Sequence, residues 1–141
     1  MLPEDGALEH GSVRKGVHRV THRRLALGKA GEDLAVGRLE QLGYRILERN
    51  YRCPLGEIDL VAEDAGCLVF VEIKTRRGGT TGEAKAAVDL RKQRQITKVA
   101  RHYLKHRGPS GSRARFDVVA VSLDRGRELV ELVRNAFEAA S

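Results

Sequence analysis

The fold is decided by residues 56–74, whose sequence is GEIDLVAEDAGCLVFVEIK. Two runs rich in β-branched and other apolar residues flank Asp64-Ala65-Gly66-Cys67, a segment with the composition of a tight turn. The pattern therefore predicts a β-hairpin. A two-residue loop at Ala65-Gly66 and a four-residue loop from Asp64 to Cys67 give the same strand register.

This register places Asp59 opposite Glu72 and Glu57 opposite Lys74. Because side chains alternate across a strand, these residues share one face. Opposed carboxylates lie about 4.5–5.5 Å apart at Cβ and destabilise a sheet, so a cation is expected between them. The other face carries only apolar side chains and is predicted to be core: Ile58, Leu60, Ala62, Val69, Val71 and Ile73.

A divalent cation is the simplest explanation of the carboxylate pair. Mg²⁺ prefers oxygen ligands and is commonly held by one or two carboxylates together with water and substrate phosphate. Lys74, beside Glu72 on the same face, would orient a water molecule or stabilise charge that develops on a phosphate. The pattern predicts phosphodiester hydrolysis. The alternative is a surface hairpin with cross-strand ion pairs, such as Glu57 to Lys74.

Composition favours one domain and a polyanionic partner. A chain of 141 residues, 41% of them hydrophobic, can build one core but is too short for two ordinary domains. Residues 74–115 contain 13 Lys or Arg and two Asp or Glu, whereas residues 25–73 contain five and nine. Basic residues next to an acidic centre suit a nucleic acid, because Lys and Arg bind backbone phosphates largely regardless of sequence. With aromatic residues at 4%, we expect recognition of charge and shape rather than base stacking.

No segment is predicted to enter a membrane. There is no secretory apolar region near Met1, and the apolar runs 68–71 and 118–121 are far too short to span a bilayer. We therefore expect a cytoplasmic protein. Cys53 and Cys67 are expected to be free thiols, because the sequence has neither a disulfide framework nor a CxxC pair.

The chain is predicted to begin with an arm. Residues 1–24 combine little apolar periodicity with many basic residues and histidines, so we predict a flexible basic arm followed by a single domain at residues 25–141. Periodicity and turn residues then predict a helix over 25–42, a strand over 44–51, the hairpin, a helix over 89–107, a strand over 115–122 and a final strand over 128–137. The segment 128–137 also fits a helix, but the turn at residues 124–126 favours a strand.

Several polar residues outside the hairpin are candidates for the site. Glu32 lies along the buried stripe of the first helix, where it would join the metal site or reach water at the border of the stripe. Asp117 would approach the same edge of the sheet or cap a neighbouring group. The glycine-rich segment 75–82 is predicted to be a hinged basic loop over the site, with an ordinary linker as the alternative. The residues predicted to contact nucleic acid are Arg76, Arg77, Arg91, Lys92, Gln95 and Lys98.

The chain resembles the YraN family of small bacterial proteins, which belong to the PD-(D/E)XK, or restriction-endonuclease-like, nuclease superfamily. The resemblance covers about residues 28–137. It rests on the following segments: Gly31-Glu32, GEIDLVA at 56–62, VFVEIKTR at 69–76, Lys92-Gln93 with Tyr103-Leu104, and RFDVV at 115–119.

The resemblance implies an α/β fold with a restriction-endonuclease-like core, in which a mixed β-sheet is flanked by α-helices in the order αβββαββ. It also implies that Asp59 and Glu72 are metal ligands, that Lys74 is the catalytic lysine, and that Glu32 is the helix-borne acid of the related Holliday junction resolvases. Ile58 stands where the superfamily name has proline, which leaves the acidic position intact.

Two functions follow as hypotheses. The first is an endonuclease that depends on Mg²⁺ or Mn²⁺ and cuts DNA, with branched and single-stranded DNA as the expected substrates. The second is a catalytically silent nucleic-acid-binding module of the same fold. Junction cutting would require a homodimer, because two symmetric strands must be nicked.

Overall fold

The predicted hairpin lies within a mixed five-stranded sheet. The computed structural model describes residues 15–77, 88–108, 111–124 and 126–140, with side chains from residue 27 onward. In chain order, the elements are α1 (Lys15–Gln41), β1 (Arg45–Cys53), β2 (Gly56–Asp64), β3 (Cys67–Arg77), α2 (Leu90–His106), β4 (Ala114–Asp124) and β5 (Arg127–Phe137). This order confirms the predicted α/β fold with αβββαββ connectivity.

The strands lie side by side in chain order, from β1 at one edge to β5 at the other. Neighbouring strands are antiparallel except for β3 and β4, which are parallel. Parallel neighbours need a long crossover connection, and α2 lies within it. Helix α1 packs against β3 and β4, and α2 packs against β2 and β1. The described helices include none long and apolar enough to cross a membrane.

Each helix covers its own hydrophobic cluster. The cluster under α2 contains Phe70, Val118 and the inward side chains Ile96, Val99 and Tyr103. The cluster under α1 is formed by Ala35, Leu39, Tyr44, Leu60, Ala62, Val69, Val71, Val119 and Val121. Both faces of the central strands are therefore buried, as expected for a sheet with helices on both sides.

The hairpin register is the predicted one. Ala65 and Gly66 have positive φ angles of 51° and 82° and form the two-residue turn between the strands. The pairs Asp64 with Cys67 and Leu60 with Val71 are observed. Regular pairing of β2 with β3 ends at Leu60 and Val71, so Asp59 and Glu72 lie immediately beyond the paired segment.

One predicted face assignment is wrong. Leu60, Ala62, Val69 and Val71 belong to the cluster under α1, and Ile73 packs against it, as predicted. Ile58 lies instead in the cluster under α2. The alternation of side chains is interrupted between Ile58 and Leu60, where β2 and β3 stop pairing.

Two predicted boundaries also change. Helix α1 begins at Lys15, ten residues before the predicted start. Residues 1–14 of the predicted arm lie outside the described residues, so the arm and the domain boundary stay predictions. Strand β3 continues to Arg77 where a loop was predicted, because β4 pairs with it as far as Arg77 and Leu123.

Three further predictions concern the glycine-rich segment, the last strand and the cysteines. The glycines at 78–82, predicted to form a hinged loop, lie outside the described residues. Strand β5 confirms the strand assignment at 128–137, since it pairs with β4 along most of its length. Cys53 and Cys67 are free thiols, as predicted.

Candidate metal and nucleic-acid site

Asp59 and Glu72 lie where β2 and β3 separate. The Asp59 carboxylate bridges the gap, because its Oδ2 accepts a hydrogen bond of 2.7 Å from the backbone N–H of Ile73. Glu72 is buried, with 7% of its side chain exposed. The separation of the strands thus gives both carboxylates a position at the centre of the sheet.

The two carboxylates repel each other. Burial and the negative charge of Glu72 raise the pKa of Asp59 to about 7, although the hydrogen bond from Ile73 acts in the opposite direction. Glu57 contributes to the same increase in the pKa of Asp59. An ordinary aspartate would be fully ionised at neutral pH. The site therefore favours a bound cation or a bound proton.

Two lysines approach the same oxygen of Glu72. The Nζ atom of Lys74, from β3, is 3.9 Å from Glu72 Oε2. The Nζ atom of Lys92, from the first turn of α2, is 3.7 Å from that oxygen. Asp89 fixes the start of α2, because its Oδ1 accepts a hydrogen bond of 2.9 Å from the backbone N–H of Lys92. The site thus combines side chains from β2, β3 and α2.

Two glycines allow the helices to approach the site closely. A Cβ atom at Gly31 of α1 would lie 1.9 Å from Oγ1 of Thr75, which follows Lys74 on β3. A Cβ atom at Gly56 would lie 2.8 Å from Nε2 of Gln95 on α2, and the φ angle of Gly56 is 140°. Glycine at both positions lets the two helices pack closely beside the strands that carry the carboxylates.

Glu32 is held by partners other than Asp59 and Glu72. Its Oε2 accepts a hydrogen bond of 2.6 Å from Arg49 Nε, and both carboxylate oxygens are 3.2 Å from Asn50 Nδ2. Asn50 has a positive φ angle of 56° and falls, like Asp59, between the Arg49–Leu60 and Tyr51–Ile58 pairs of the β1–β2 register. Among the described residues, no group of three or more His, Cys, Asp and Glu side chains is placed to hold a metal ion. The structure therefore does not place Glu32 in one cluster with Asp59 and Glu72.

Asp117 lies on the opposite face of the sheet from Glu72. It is fully buried beside Tyr44 in the cluster under α1, whereas Glu72 contacts Lys92 from α2. Its carboxylate accepts hydrogen bonds of 2.7 Å from Tyr44, 3.0 Å from Arg115 and 2.9 Å from the N–H of Asn135. Asp117 is therefore a structural residue that joins three parts of the chain, rather than part of the carboxylate site.

The residues predicted to contact nucleic acid form two groups. Arg91, Gln95 and Lys98 are exposed on α2, while Lys92 is partly buried against Glu72. Arg76 and Arg77 are exposed at the end of β3, beyond Lys74. Lys74, Asp89, Arg91, Lys92 and Gln95 together line a cavity of about 290 Å³.

The residues present fit a hard divalent cation. Asp59 and Glu72 supply carboxylate oxygens, the ligand type that Mg²⁺ and Mn²⁺ prefer, and two protein carboxylates are sufficient for Mg²⁺. Burial and the negative charge of Glu72 raise the pKa of Asp59, so the doubly ionised pair is unfavourable unless it binds a cation or a proton. Lys74 and Lys92, which approach Glu72, also line the cavity, so space for solvent or substrate lies next to these two lysines.

Sequence reasoning did not identify the contact of Lys92 with Glu72. The signal was present, because Lys92 precedes the buried Ile96 by four residues and therefore continues the buried stripe of α2. It also did not identify Arg49 and Asn50 as partners of Glu32. Those contacts depend on how α1 crosses β1, which a one-dimensional pattern does not contain.

The fold and the site define a small α/β protein with a pair of carboxylates inside a mixed sheet. The chain belongs to the uncharacterised protein family UPF0102, whose sequence pattern matches residues 31–121. This confirms the resemblance to the YraN family.

Relatives in several bacteria match most of the chain. A UPF0102 protein of Syntrophus aciditrophicus is 47% identical over 124 residues, which cover 88% of this chain and 97% of the relative. A UPF0102 protein of Moorella thermoacetica is 48% identical over 120 residues, which cover 84% of this chain and all of the relative. A third, from Geobacter sulfurreducens, is 48% identical over 85% of this chain and 94% of its own length.

Proposed function

We propose that the protein is a Mg²⁺- or Mn²⁺-dependent endonuclease of the restriction-endonuclease-like superfamily, which hydrolyses phosphodiester bonds of DNA. The observation that carries the proposal is the pair of adjacent carboxylates, Asp59 and Glu72, with Lys74 beside them. A carboxylate pair with an unbalanced charge reduces stability, so a binding role accounts for it better than a structural one. We expect the protein to act in the cytoplasm.

Each side chain has a distinct role in this proposal. Asp59 and Glu72 would hold the cation, which supplies Lewis-acid polarisation of the scissile phosphate. The Lys74 ammonium would hold the attacking water and stabilise negative charge on the phosphate oxygens as the bond breaks. Arg91 and Lys98, which are exposed on the N-terminal half of α2, would bind the neighbouring backbone phosphates.

Glu32 is proposed as a further ligand of the same site. Its carboxylate pairs with Arg49 and Asn50, and Asn50 and Asp59 both fall between the Arg49–Leu60 and Tyr51–Ile58 pairs. Binding of a cation would require Glu32 to exchange the Arg49 guanidinium for it. This role predicts that Glu32→Gln reduces activity less than substitution of Asp59, which lies at the centre of the site.

A second function is supported by a specific observation. Glu72 is already near the ammonium groups of Lys74 and Lys92, as it would be in a permanent structural ion cluster. In that case the protein binds nucleic acid without cutting it. The raised pKa of Asp59 weighs against this function, because the lysines leave the charge of that carboxylate incompletely balanced.

Cleavage assays separate the two functions. Purified protein is incubated with single-stranded, duplex, flap and four-way-junction DNA in Mg²⁺, Mn²⁺ or EDTA, beside the Asp59→Ala and Lys74→Ala variants. Cleavage that needs the metal and falls at least roughly 100-fold in both variants supports the nuclease. The Lys105→Ala variant, at the other end of α2, serves as a control and should cut normally.

Two other outcomes contradict the proposal, and a third reports on the oligomeric state. Salt-sensitive binding without cleavage of any substrate supports the silent module. Cleavage that persists in Asp59→Ala excludes this site as its origin. If four-way junctions are cut by paired incisions, the protein must act there as a homodimer.

A further inference from the structure

Glu72 has more cationic neighbours than a single carboxylate needs. Lys74 and Lys92 approach the same oxygen from two different elements, at 3.9 and 3.7 Å. Both lysine side chains are partly exposed, 39% and 34%, so each can reach a second partner at the surface. If Asp59 and Glu72 bind a divalent cation, the cation replaces the lysines as the partner of Glu72. At least one ammonium group then becomes available.

The first turn of α2 carries basic side chains, although the N-terminus of a helix disfavours positive charge. The helix macrodipole places partial positive charge at the N-terminus, which favours acidic side chains. The first turn of α2, Leu90 to Gln93, is fully described and has no acid, but contains Arg91 and Lys92. The carboxylate of Asp89 caps the helix by accepting the Lys92 N–H. This arrangement is unfavourable for an isolated helix and suits an anionic ligand.

The cavity that Lys74 and Lys92 line has the composition of an anion site. Its lining consists only of polar and charged residues: Lys74, Asp89, Arg91, Lys92 and Gln95. Its volume is about 290 Å³. Gln95 lies close to the start of β2, since a Cβ atom at Gly56 would be 2.8 Å from its Nε2. The backbone N–H groups at the start of α2 add to the positive potential in this region.

We propose that this cavity is a phosphate-binding subsite, in which Lys92 leaves Glu72 and holds a substrate phosphate next to the one that is cleaved. The proposal rests on the nuclease function and adds a specific substrate contact to it. Lys74 contacts the phosphate that is cleaved, while Lys92 and Arg91 bind the adjacent phosphate. The ligand is a phosphate group, either a diester within the strand or a monoester at its end.

Equilibrium binding tests the proposal without relying on cleavage. A short fluorescent single-stranded oligonucleotide is titrated with protein in EDTA and in Ca²⁺, which also takes oxygen ligands. The proteins compared are the wild type, Lys92→Ala, Lys92→Arg and the control Lys105→Ala, which removes the same charge from the last turn of α2. Thermal unfolding establishes that each variant is folded.

With Ca²⁺, we expect Lys92→Ala to weaken binding roughly tenfold, the size expected for a charged hydrogen bond. The slope of log affinity against log salt should fall by about 1. Lys92→Arg should keep most of the affinity, because a guanidinium also binds phosphate. In EDTA the effect of Lys92→Ala should shrink to less than about threefold, since Lys92 then stays with Glu72.

Two results would overturn the proposal. One is an equal loss of affinity in Lys92→Ala and Lys105→Ala, which would show only general electrostatic attraction. The other is a Lys92→Ala effect of the same size in EDTA and in Ca²⁺, which would show that Lys92 does not exchange partners.

Oligonucleotides with a terminal phosphate or a terminal hydroxyl identify the ligand. A Lys92 effect confined to the phosphorylated strand supports a monoester subsite, and an equal effect on both supports a diester subsite. Absence of cleavage would reject the nuclease function but leave these binding results unchanged.

Discussion

Asp59 lies where its ionised carboxylate is unfavourable for stability. Its carboxylate accepts one backbone hydrogen bond from Ile73 while it faces Glu72 in a largely buried position. The neighbouring lysines contact Glu72 rather than Asp59. Its negative charge is therefore the least compensated in the site, and a substitution that removes that charge should relieve the repulsion.

We predict that Asp59→Asn stabilises the metal-free protein while it abolishes cleavage. The asparagine side chain of this variant keeps an oxygen to accept the Ile73 N–H and gains an N–H₂ group that can donate to Glu72. In EDTA at pH 8, the free energy of unfolding should rise by roughly 1–3 kcal/mol. Denaturant unfolding of both proteins measures the difference, and a loss of stability in Asp59→Asn would contradict the account.

The same difference should depend on pH. Because the pKa of Asp59 is raised to about 7 in the folded protein, the folded state binds a proton that the unfolded state releases between about pH 4 and 7. The wild type therefore loses stability as the pH rises through this range. The advantage of Asp59→Asn should be greatest above pH 7 and vanish near pH 4, and a constant advantage would show that repulsion between the carboxylates is not its cause.

Asp117 provides the contrasting case of a buried acid with a structural role. Removing it leaves the Tyr44 hydroxyl, the Arg115 guanidinium and the Asn135 N–H without their common acceptor. We expect Asp117→Ala to cost roughly 3–5 kcal/mol in the free energy of unfolding. Binding of divalent cations to the remaining folded protein should be unchanged, and loss of that binding alone would contradict the structural role.

The contact of α1 with β3 places the helix next to the strand that carries Glu72 and Lys74. Gly31 makes this contact possible, because Thr75 occupies the space that a side chain would need. Gly37, nearly two turns later on the same helix, has no atom within 4 Å of the position of a Cβ. A comparison of substitutions at the two glycines therefore distinguishes the effect of a close packing contact from the general cost of glycine in a helix.

We predict opposite effects for alanine at these positions. Gly31→Ala should reduce the free energy of unfolding by about 1–3 kcal/mol, because the helix must move away from Thr75. Gly37→Ala should increase it by about 0.5–1 kcal/mol, because alanine has the higher helix propensity. Thermal unfolding of both variants gives the comparison, and stabilisation by Gly31→Ala would contradict the close approach of α1 to β3.

The arrangement of the elements was predictable where local chemistry determines it. Residues 64–67 determine the turn, so the register that brings Asp59 near Glu72 follows from the sequence of the turn. The displacement of Ile58 to the other face could not, because it arises where the strands separate. The contact of Lys92 with Glu72 depends on how α2 lies across the sheet, and the partners of Glu32 depend on α1. Both sets of contacts therefore depend on tertiary packing, which a sequence pattern does not contain.

The distribution of charge over the molecule points to binding of a polyanion along α2. Arg91 and Lys98 are exposed on this helix, two turns apart, and Lys92 between them faces the carboxylates. A strand that follows these side chains would pass the site directly. In the proposed function, phosphate contacts would be the main source of affinity, because only 4% of the residues are aromatic.

We predict that Arg91→Ala and Lys98→Ala each weaken DNA binding by a similar factor for all sequences. Each substitution should reduce the slope of log affinity against log salt by about 1. Titrations at several salt concentrations measure this slope. An effect that depends on the base sequence, or a slope equal to that of the wild type, would exclude these residues as phosphate contacts.

The central claim is that Asp59 and Glu72 form a divalent-metal site, and a calorimetric titration with Mn²⁺ tests it most directly, because no substrate is needed. The wild type should bind Mn²⁺, while Asp59→Asn and Glu72→Gln should each lose that binding. Lys105→Ala should bind as the wild type does. Absence of binding in the wild type, or unchanged binding in Asp59→Asn, would contradict the claim.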